Sequence, residues 1–481
     1  MIDFSEFAVL RQEISLIAVF VSLLVFDIFA SRRGRESLYL VACIMMVLHV
    51  IVGFLPSPSG SVFGGIYVSN PMTTLMKNIL SMGTLIMFMQ SYKWLVGSFR
   101  QGEFYVVTLS TLLGMYLMIS AGNFMMLFIG VETASLPLAC LVAFDKFNQK
   151  SAEAGAKYIL MTALASGIMM FGLSYIYGAT GTMYFDDIQQ TLDKLPVALI
   201  ISEMPLVVLG FIFFFAGLAF KISIVPFHLW TADVYEGAPT PVTAYLSVVS
   251  KGAAIFALLF ALWHAFGSMA ELWYYLLWFL AAITITVGNL FAIGQKDVKR
   301  FFAFSSISQA GFILLGVLTG TAQGLTATVY FVLVYLFSNM AAFGVISAIE
   351  CKTGKTDIAS YNGLYSNNPK LAFVMMLAVF SLAGIPPFAG FFSKFFIFAA
   401  AAGEGEYLLV FIALLNTVIS LYYYLLIVKA MFITPADEMT CERIQTDPYN
   451  KLSLIICTIG IVAIGIISGI YEHIGSISFG M

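Results

Sequence analysis

G-L-A-F-K-I-S-I-V-P-F-H, residues 217–228, and L-A-G-I-P-P-F-A-G-F-F-S-K, residues 382–394, are apolar runs interrupted by glycine and proline, and each carries a lysine. Pro226 in the first, and Pro386 and Pro387 in the second, each remove a backbone donor and clash with the preceding turn, so a helix through either stretch must kink or unwind there. Lys221 and Lys394 stand close to these breaks. In hydrocarbon, irregular backbone persists only where it is packed in protein or lines a wet cavity. An ammonium group at the bilayer centre costs roughly 2.5–3.5 kcal/mol on the gentlest scale. The two stretches therefore predict two broken transmembrane helices with polar work to do inside the membrane.

The rest of the chain is a membrane sequence. Of its 481 residues, 60% are hydrophobic and 10% charged, with a mean hydropathy of +0.96; a soluble protein carries roughly 25% charged residues. A crossing helix needs about 20 apolar residues. Fourteen stretches meet this, at about 13–30, 37–55, 72–98, 104–121, 123–144, 154–178, 205–229, 240–265, 271–294, 301–319, 325–350, 371–400, 406–433 and 452–471, and are numbered helices 1 to 14. Ala121, Gly122 and Asn123 leave only a very short turn between helices 4 and 5. The start of the chain holds Asp3, Glu6 and Glu13 against a single Arg11, unlike the basic start of a cleaved signal peptide, so helix 1 is expected to stay. The fold class is an all-α polytopic membrane protein, one membrane domain over 1–481.

Loop charges test the count. Alternate loops hold sixteen basic residues, among them Arg32, Arg33 and Arg35, Lys296, Lys299 and Arg300, and Lys352, Lys355 and Lys370, while the opposite side has only Arg11 and Lys194. The positive-inside rule places the sixteen in the cytoplasm and both termini outside, as expected in a bacterial inner membrane. Broken helices 7 and 12 are five apart. Five is odd, so a five-helix unit repeated in tandem must appear inverted. Helices 4–8 (104–265) and 9–13 (271–433) are the expected copies, a plan that recurs in ion transporters. The cytoplasmic loop Trp230–Pro241, W-T-A-D-V-Y-E-G-A-P-T-P, has Asp233 and Glu236 but no basic residue and is expected to be more than a connector.

Lys157, Lys221, Lys251 and Lys394 lie in apolar helices, with Glu132 near the middle of helix 5 as the partner of opposite sign. A buried lysine resists its charge and a nearby carboxylate restores it, so Glu132, Lys221, Lys251 and Lys394 are the expected proton path, with Lys394 nearest the outside. Lys157, one turn into helix 6, suits either an inlet relay or snorkelling. His228 could pass protons to Lys221, since imidazole titrates near neutral pH, or be structural. Tyr422, Tyr423 and Tyr424, with Asn416 and Ser420, put hydroxyls along helix 13 and offer Tyr423 as a support beside Lys394, or as an interfacial anchor. Lys77, near the outer end of helix 3, is expected to snorkel. The five cysteines (Cys43, Cys140, Cys351, Cys441, Cys457) form no C-x-x-C pair, no histidines cluster at metal-ligand spacing, and no nucleotide-binding motif occurs. Iron–sulfur, metal and nucleotide chemistry are not expected in this chain.

The run from Phe220 to Lys251, F-K-I-S-I-V-P-F-H-L-W-T-A-D-V-Y-E-G-A-P-T-P-V-T-A-Y-L-S-V-V-S-K, resembles the signature of the N-type subunits of proton-pumping NADH–quinone oxidoreductases (respiratory complex I). G-I-P-P-F-A-G-F-F-S-K, ending at Lys394, and N-x-x-I-S-L-Y-Y-Y-L from Asn416 resemble the same family, and the likeness covers essentially the whole chain. The D-V-Y-E-G-A-P-T-P wording resembles N and not its antiporter-like sisters L and M. Ala232 departs from the family's usual proline. The resemblance implies a membrane-arm subunit in which Glu132, Lys221, Lys251 and Lys394 form a polar axis for protons. It places NADH, FMN, iron–sulfur clusters and quinone in partner subunits and makes the sister subunit M and the lipid bilayer the partners, with no role for nucleic acid. One alternative is a subunit of a stand-alone multisubunit cation/proton antiporter; another is a structural spacer with silent lysines.

Overall fold

The computed structural model describes residues 4–29, 35–56, 58–98, 100–435 and 443–478; Asp3, Arg32, Arg33 and Cys441 lie outside them. Among the described residues thirteen helices are long and apolar enough to cross a membrane. The shorter Pro369–Ala383 and Ala389–Gly403 helices flank the break of helix 12 and together make the fourteenth expected one. The chain is a multi-pass, helical membrane protein. Among the described residues the strands are a small antiparallel hairpin, Gly60–Val62 with Tyr67–Ser69, between helices 2 and 3.

The short turn between helices 4 and 5 works because its backbone groups find partners. Asn123 caps helix 5 by accepting from the Met126 N–H at 2.8 Å, Ala121 pairs with Tyr67, and Asn123 with Tyr184. Without a hydrophobic drive between helices in lipid, small residues let backbones approach. Helices 6 and 7 use Gly172 and Gly210 in this way: a Cβ at Gly172 would meet the Phe214 backbone N at 2.6 Å, and one at Gly210 the Gly172 carbonyl at 2.7 Å.

Both breaks occur where the prolines predict them. The Pro205–Ile222 helix ends at Ser223, which adopts a left-handed conformation (φ 67°), and the Pro369–Ala383 helix ends at Gly384 (φ 90°). The Val225–Pro226 and Pro386–Pro387 bonds are cis. The expected loop 230–241 is instead largely helical, Leu229–Gly237. Its Asp233 and Glu236, three residues apart, share one face and are held by one arginine, described below. Helix 8 is Thr240–Tyr245, a π-helical turn at Leu246–Ser250, then Lys251–His264. Such wide turns often mark functional sites, and this one delivers Lys251.

The chain forms two compact units. The first comprises Met1–Leu85, Gly97–Trp230 and Ser250–Leu277; the second Ile86–Val96, Thr231–Val249 and Trp278–Met481. In the second, the helices Val298–Leu318 and Ala322–Thr353 are buried along their apolar windows and form its core.

Candidate functional site

In the first unit Lys221 and Lys251 are both buried, 7% and 3% exposed. Lys221 lies in the last turn before Ser223. Its Nζ donates to Ser135 Oγ, which in turn donates to the Val131 carbonyl. Glu132 lies three residues before Ser135 on the Phe124–Val142 helix, hence on the same face, and its charge acts on Lys221. Glu132 is half-buried, and its Oε1 is shielded from solvent with no hydrogen-bond partner among the described residues. The result is a buried ammonium near a carboxylate with acceptor capacity to spare.

Sequence reasoning missed the neighbouring stripe. Tyr158, Thr162 and Ser166 recur every fourth residue on the Gln149–Thr180 helix and are buried; the charge of Glu132 reaches Tyr158. The Y-x-x-x-T-x-x-x-S spacing in an apolar helix was the available signal. His228 is half-buried just past the break, and the charge that reaches it is that of Lys251. Lys157 is not in the apolar interior: its side chain is 43% exposed and paired with Glu153 Oε1 at 2.7 Å, one turn earlier. Lys77 departs in the other direction. It is fully buried and ion-paired with Glu13, and does not snorkel.

In the second unit, the break of helix 12 explains its own polar contacts. In an unbroken helix the Leu382 and Ala383 carbonyls would accept from residues 386 and 387, but both are proline and have no N–H. Gln309 Nε2 donates to the Leu382 carbonyl at 3.1 Å, and Lys394 Nζ donates to the Ala383 carbonyl at 3.0 Å. Lys394 is buried, and its Nζ lies 4.7 Å from the centre of the Phe312 ring, within cation–π range. Ser381 Oγ accepts from the Gly390 N–H at 3.1 Å and pairs with Ser338 Oγ at 2.8 Å, while the adjacent Asn339 donates to Ser247 Oγ at 2.6 Å. A polar seam thus runs from the π turn of helix 8 toward the Lys394 break. Tyr423 donates to Asn289 at 2.9 Å, and Asn289 donates to Asn416. Tyr424 meets Ser305 (2.5 Å) and accepts from Gln309 (3.3 Å), so Tyr424 stands on the Gln309 side of this network.

At the end of the second unit that bears the basic loops, Arg300 Nη1 donates to both Asp233 and Glu236 at 2.8 Å. Lys299 donates to the Ala238 carbonyl at 3.0 Å and lies 3.5 Å from Glu350 Oε1, and Thr240 donates to the other oxygen of Glu350. The acidic segment is therefore clamped to the starts of helices 8 and 10 and the end of helix 11. Arg300→Ala is expected to lower the thermal stability of the detergent-extracted protein by about 1 kcal/mol, because the three side chains are partly exposed and each pair is modest. Arg300→Lys should recover only part of that, having lost the planar fork. A thermal melt of the three proteins checks this.

Two buried polar tracks, each built around a broken helix that carries a lysine, define an ion-translocating type of membrane subunit. The NADH:quinone oxidoreductase/Mrp antiporter transmembrane family matches residues 121–420. NADH-quinone oxidoreductase subunit N of Azobacteroides pseudotrichonymphae genomovar. CFP2 is 60% identical over 100% of this chain and 99% of its own length. Among solved structures, a chain of respiratory complex I from Thermus thermophilus with bound aureothin is 29% identical, with a TM-score of 0.77 over 95% of this chain and 97% of that one. A chain of the Mrp complex from Dietzia sp. DQ12-45-1b shares the fold, with a TM-score of 0.83 at 22% identity over 99% and 97% of the two chains. The chain belongs to the NADH-quinone oxidoreductase subunit N family.

Proposed function

We propose that this chain is a membrane-arm subunit of NADH–quinone oxidoreductase that translocates protons through Glu132, Lys221, Lys251 and Lys394, driven by quinone reduction in other subunits. The observation that carries this reading is the Lys221–Ser135–Glu132 arrangement. A buried lysine holds its proton more firmly with a carboxylate beside it than without one, so movement of Glu132 relative to Lys221 changes whether that proton stays or leaves. Lys251, following the π turn, and Lys394, bound to a carbonyl freed by the Pro387 break, are the later stations, with Tyr424 and Gln309 as support for Lys394. Lys157 and His228 serve the cytoplasmic side. Tyr423 positions helix 13 through Asn289.

The same reading takes helices 4–8 and 9–13 as inverted repeats. With that topology Lys221 precedes its break and Lys394 follows its own, so both lie on the outer side of the breaks. It also places the chain in a bacterial inner membrane, with both termini on the outer side, the sister subunit M as a neighbour, and flavin, iron–sulfur clusters and quinone in partner chains. The alternative, a stand-alone cation/proton antiporter subunit, predicts purification without flavin or iron–sulfur partners.

Inverted membrane vesicles test the proposal. Glu132→Gln and Lys251→Met are each expected to cut NADH-driven proton uptake about tenfold or more, short of the roughly 100-fold that a fully positioned proton-transfer group supplies, in a complex whose subunits still assemble. Normal uptake in both assembled variants would overturn it.

A further inference from the structure

Lys221 and Lys394 are both buried beside a helix break, but their charges are met differently. Lys221 has the charge of Glu132 acting on it. Lys394 makes no ion pair among the described residues, and no neighbouring charge acts on it. A charge taken out of water is costly unless it is paired and hydrogen-bonded, and an ammonium has three protons to place. One goes to the Ala383 carbonyl at 3.0 Å. Beside that contact, Nζ lies over the ring of Phe312, 4.7 Å from its centre.

The fold holds this ring in place from two sides. Phe312 is fully buried on the Val298–Leu318 helix, three residues after Gln309, so the two share one face. Gln309 donates to the Leu382 carbonyl, and Phe312 lies against Lys394. A single turn of this helix thus serves both a carbonyl freed by the break and the lysine that follows it. Phe398, one turn after Lys394 on the Ala389–Gly403 helix, packs on Phe312 with ring centres 6.0 Å apart. Lys394 and Phe398 share a helix face and hold the ring together.

An aromatic face carries partial negative charge and attracts a desolvated cation most strongly. Unlike a carboxylate, a phenyl ring cannot take the proton itself. We propose that Phe312 is a positioning residue for proton transfer at Lys394, its ring face standing where Lys221 has a carboxylate. It favours the charged lysine at the Ala383 carbonyl without competing for the proton. On release, one N–H bond of the ammonium breaks and the proton passes to water, leaving a neutral amine and a hydronium ion. The ring attracts the cation and not the amine, so its hold ends with that step. This inference rests on the reading of the chain as a proton-translocating subunit and adds a residue to it.

The experiment uses the assembled complex in inverted vesicles and follows the rate of NADH-driven proton uptake per complex. Phe312→pentafluorophenylalanine, made with an expanded genetic code, keeps a ring of nearly native shape and reverses the charge of its face. Phe302→pentafluorophenylalanine, at a fully buried ring on the same helix that packs on Phe301 and Phe343, controls for fluorine in a packed interior. Phe312→Leu removes the ring and keeps an apolar side chain. Lys394→Met is the reference for the main path. Both variants at Phe312 are expected to lower the rate by about threefold or more, the fold-change that a modest cation–π attraction converts to, while the Phe302 variant pumps like the native protein. A native rate in Phe312→pentafluorophenylalanine, or an equal loss in the Phe302 variant, overturns the inference. If the fluorinated complex does not assemble, a native rate in Phe312→Leu overturns it. Loss in Lys394→Met with a native rate in the fluorinated variant removes the role of Phe312 alone; a native rate in Lys394→Met removes the main reading at Lys394 instead.

Discussion

Lys221→Met is expected to lower NADH-driven proton uptake by on the order of 100-fold, with quinone reduction falling alongside it, in a complex that still assembles. Methionine is unbranched and fills nearly the space of the lysine stem, so the site keeps its packing. Ser135 keeps its acceptor, the Val131 carbonyl. Glu132 is only half-buried, and so can be hydrated without a lysine opposite. What disappears is the one group in this cluster able to hold a proton as a cation. Lys221→Arg sharpens the test: guanidinium is always protonated, so it keeps a charge near Glu132 but cannot release its proton, and it should be as inactive as methionine. Full activity of the arginine variant would mean that only the charge matters. Normal rates and pumping with methionine would mean that the lysine is structural, and the proton path proposed here would have to be abandoned.

The parts of this structure that could be read in advance are those written along one dimension. Apolar length marks the spans, and Pro226, Pro386 and Pro387 mark the breaks, because a missing N–H acts on the residue four positions earlier in the same helix. Lys157 was readable too, since Glu153 sits one turn before it. Rotation and distant partners were not. Tyr423 and Tyr424 differ by about 100° around the helix, and nothing in the run Y-Y-Y says which one faces Gln309. Lys77 looked like a snorkelling residue because its partner Glu13 lies 64 positions away on another helix. The acidic segment 230–241 was read as a loop, yet it is largely helical, and its partner Arg300 binds Asp233 and Glu236 across 67 and 64 positions. The shared rule is that a buried charge signals a partner without naming it.

Gly384→Val is expected to act on both the fold and the site. Gly384 holds φ at 90° where the first half of helix 12 ends. A side chain in the left-handed region costs about 1–2 kcal/mol, and a β-branched one is a true outlier there. A Cβ at this position would also press on the lysine itself, meeting Lys394 Cδ at 3.1 Å and Cε and Nζ at 3.7 Å. Forcing atoms into a packed interior adds about 1–3 kcal/mol. The flexible stem of Lys394 can yield, but yielding carries Nζ away from the Ala383 carbonyl, which Pro387 leaves without a backbone donor. The variant should therefore yield less assembled complex, and the fraction that does assemble should pump several-fold more slowly per complex, less than the roughly 100-fold that a full 1 Å misplacement can cost. Gly403→Val is the matched control: a Cβ there meets nothing within 4 Å, and it should assemble and pump like the native protein. Equal behaviour of the two variants would show that the Lys394 geometry at the break does not matter, which the carbonyl contacts of Lys394 and Gln309 argue against.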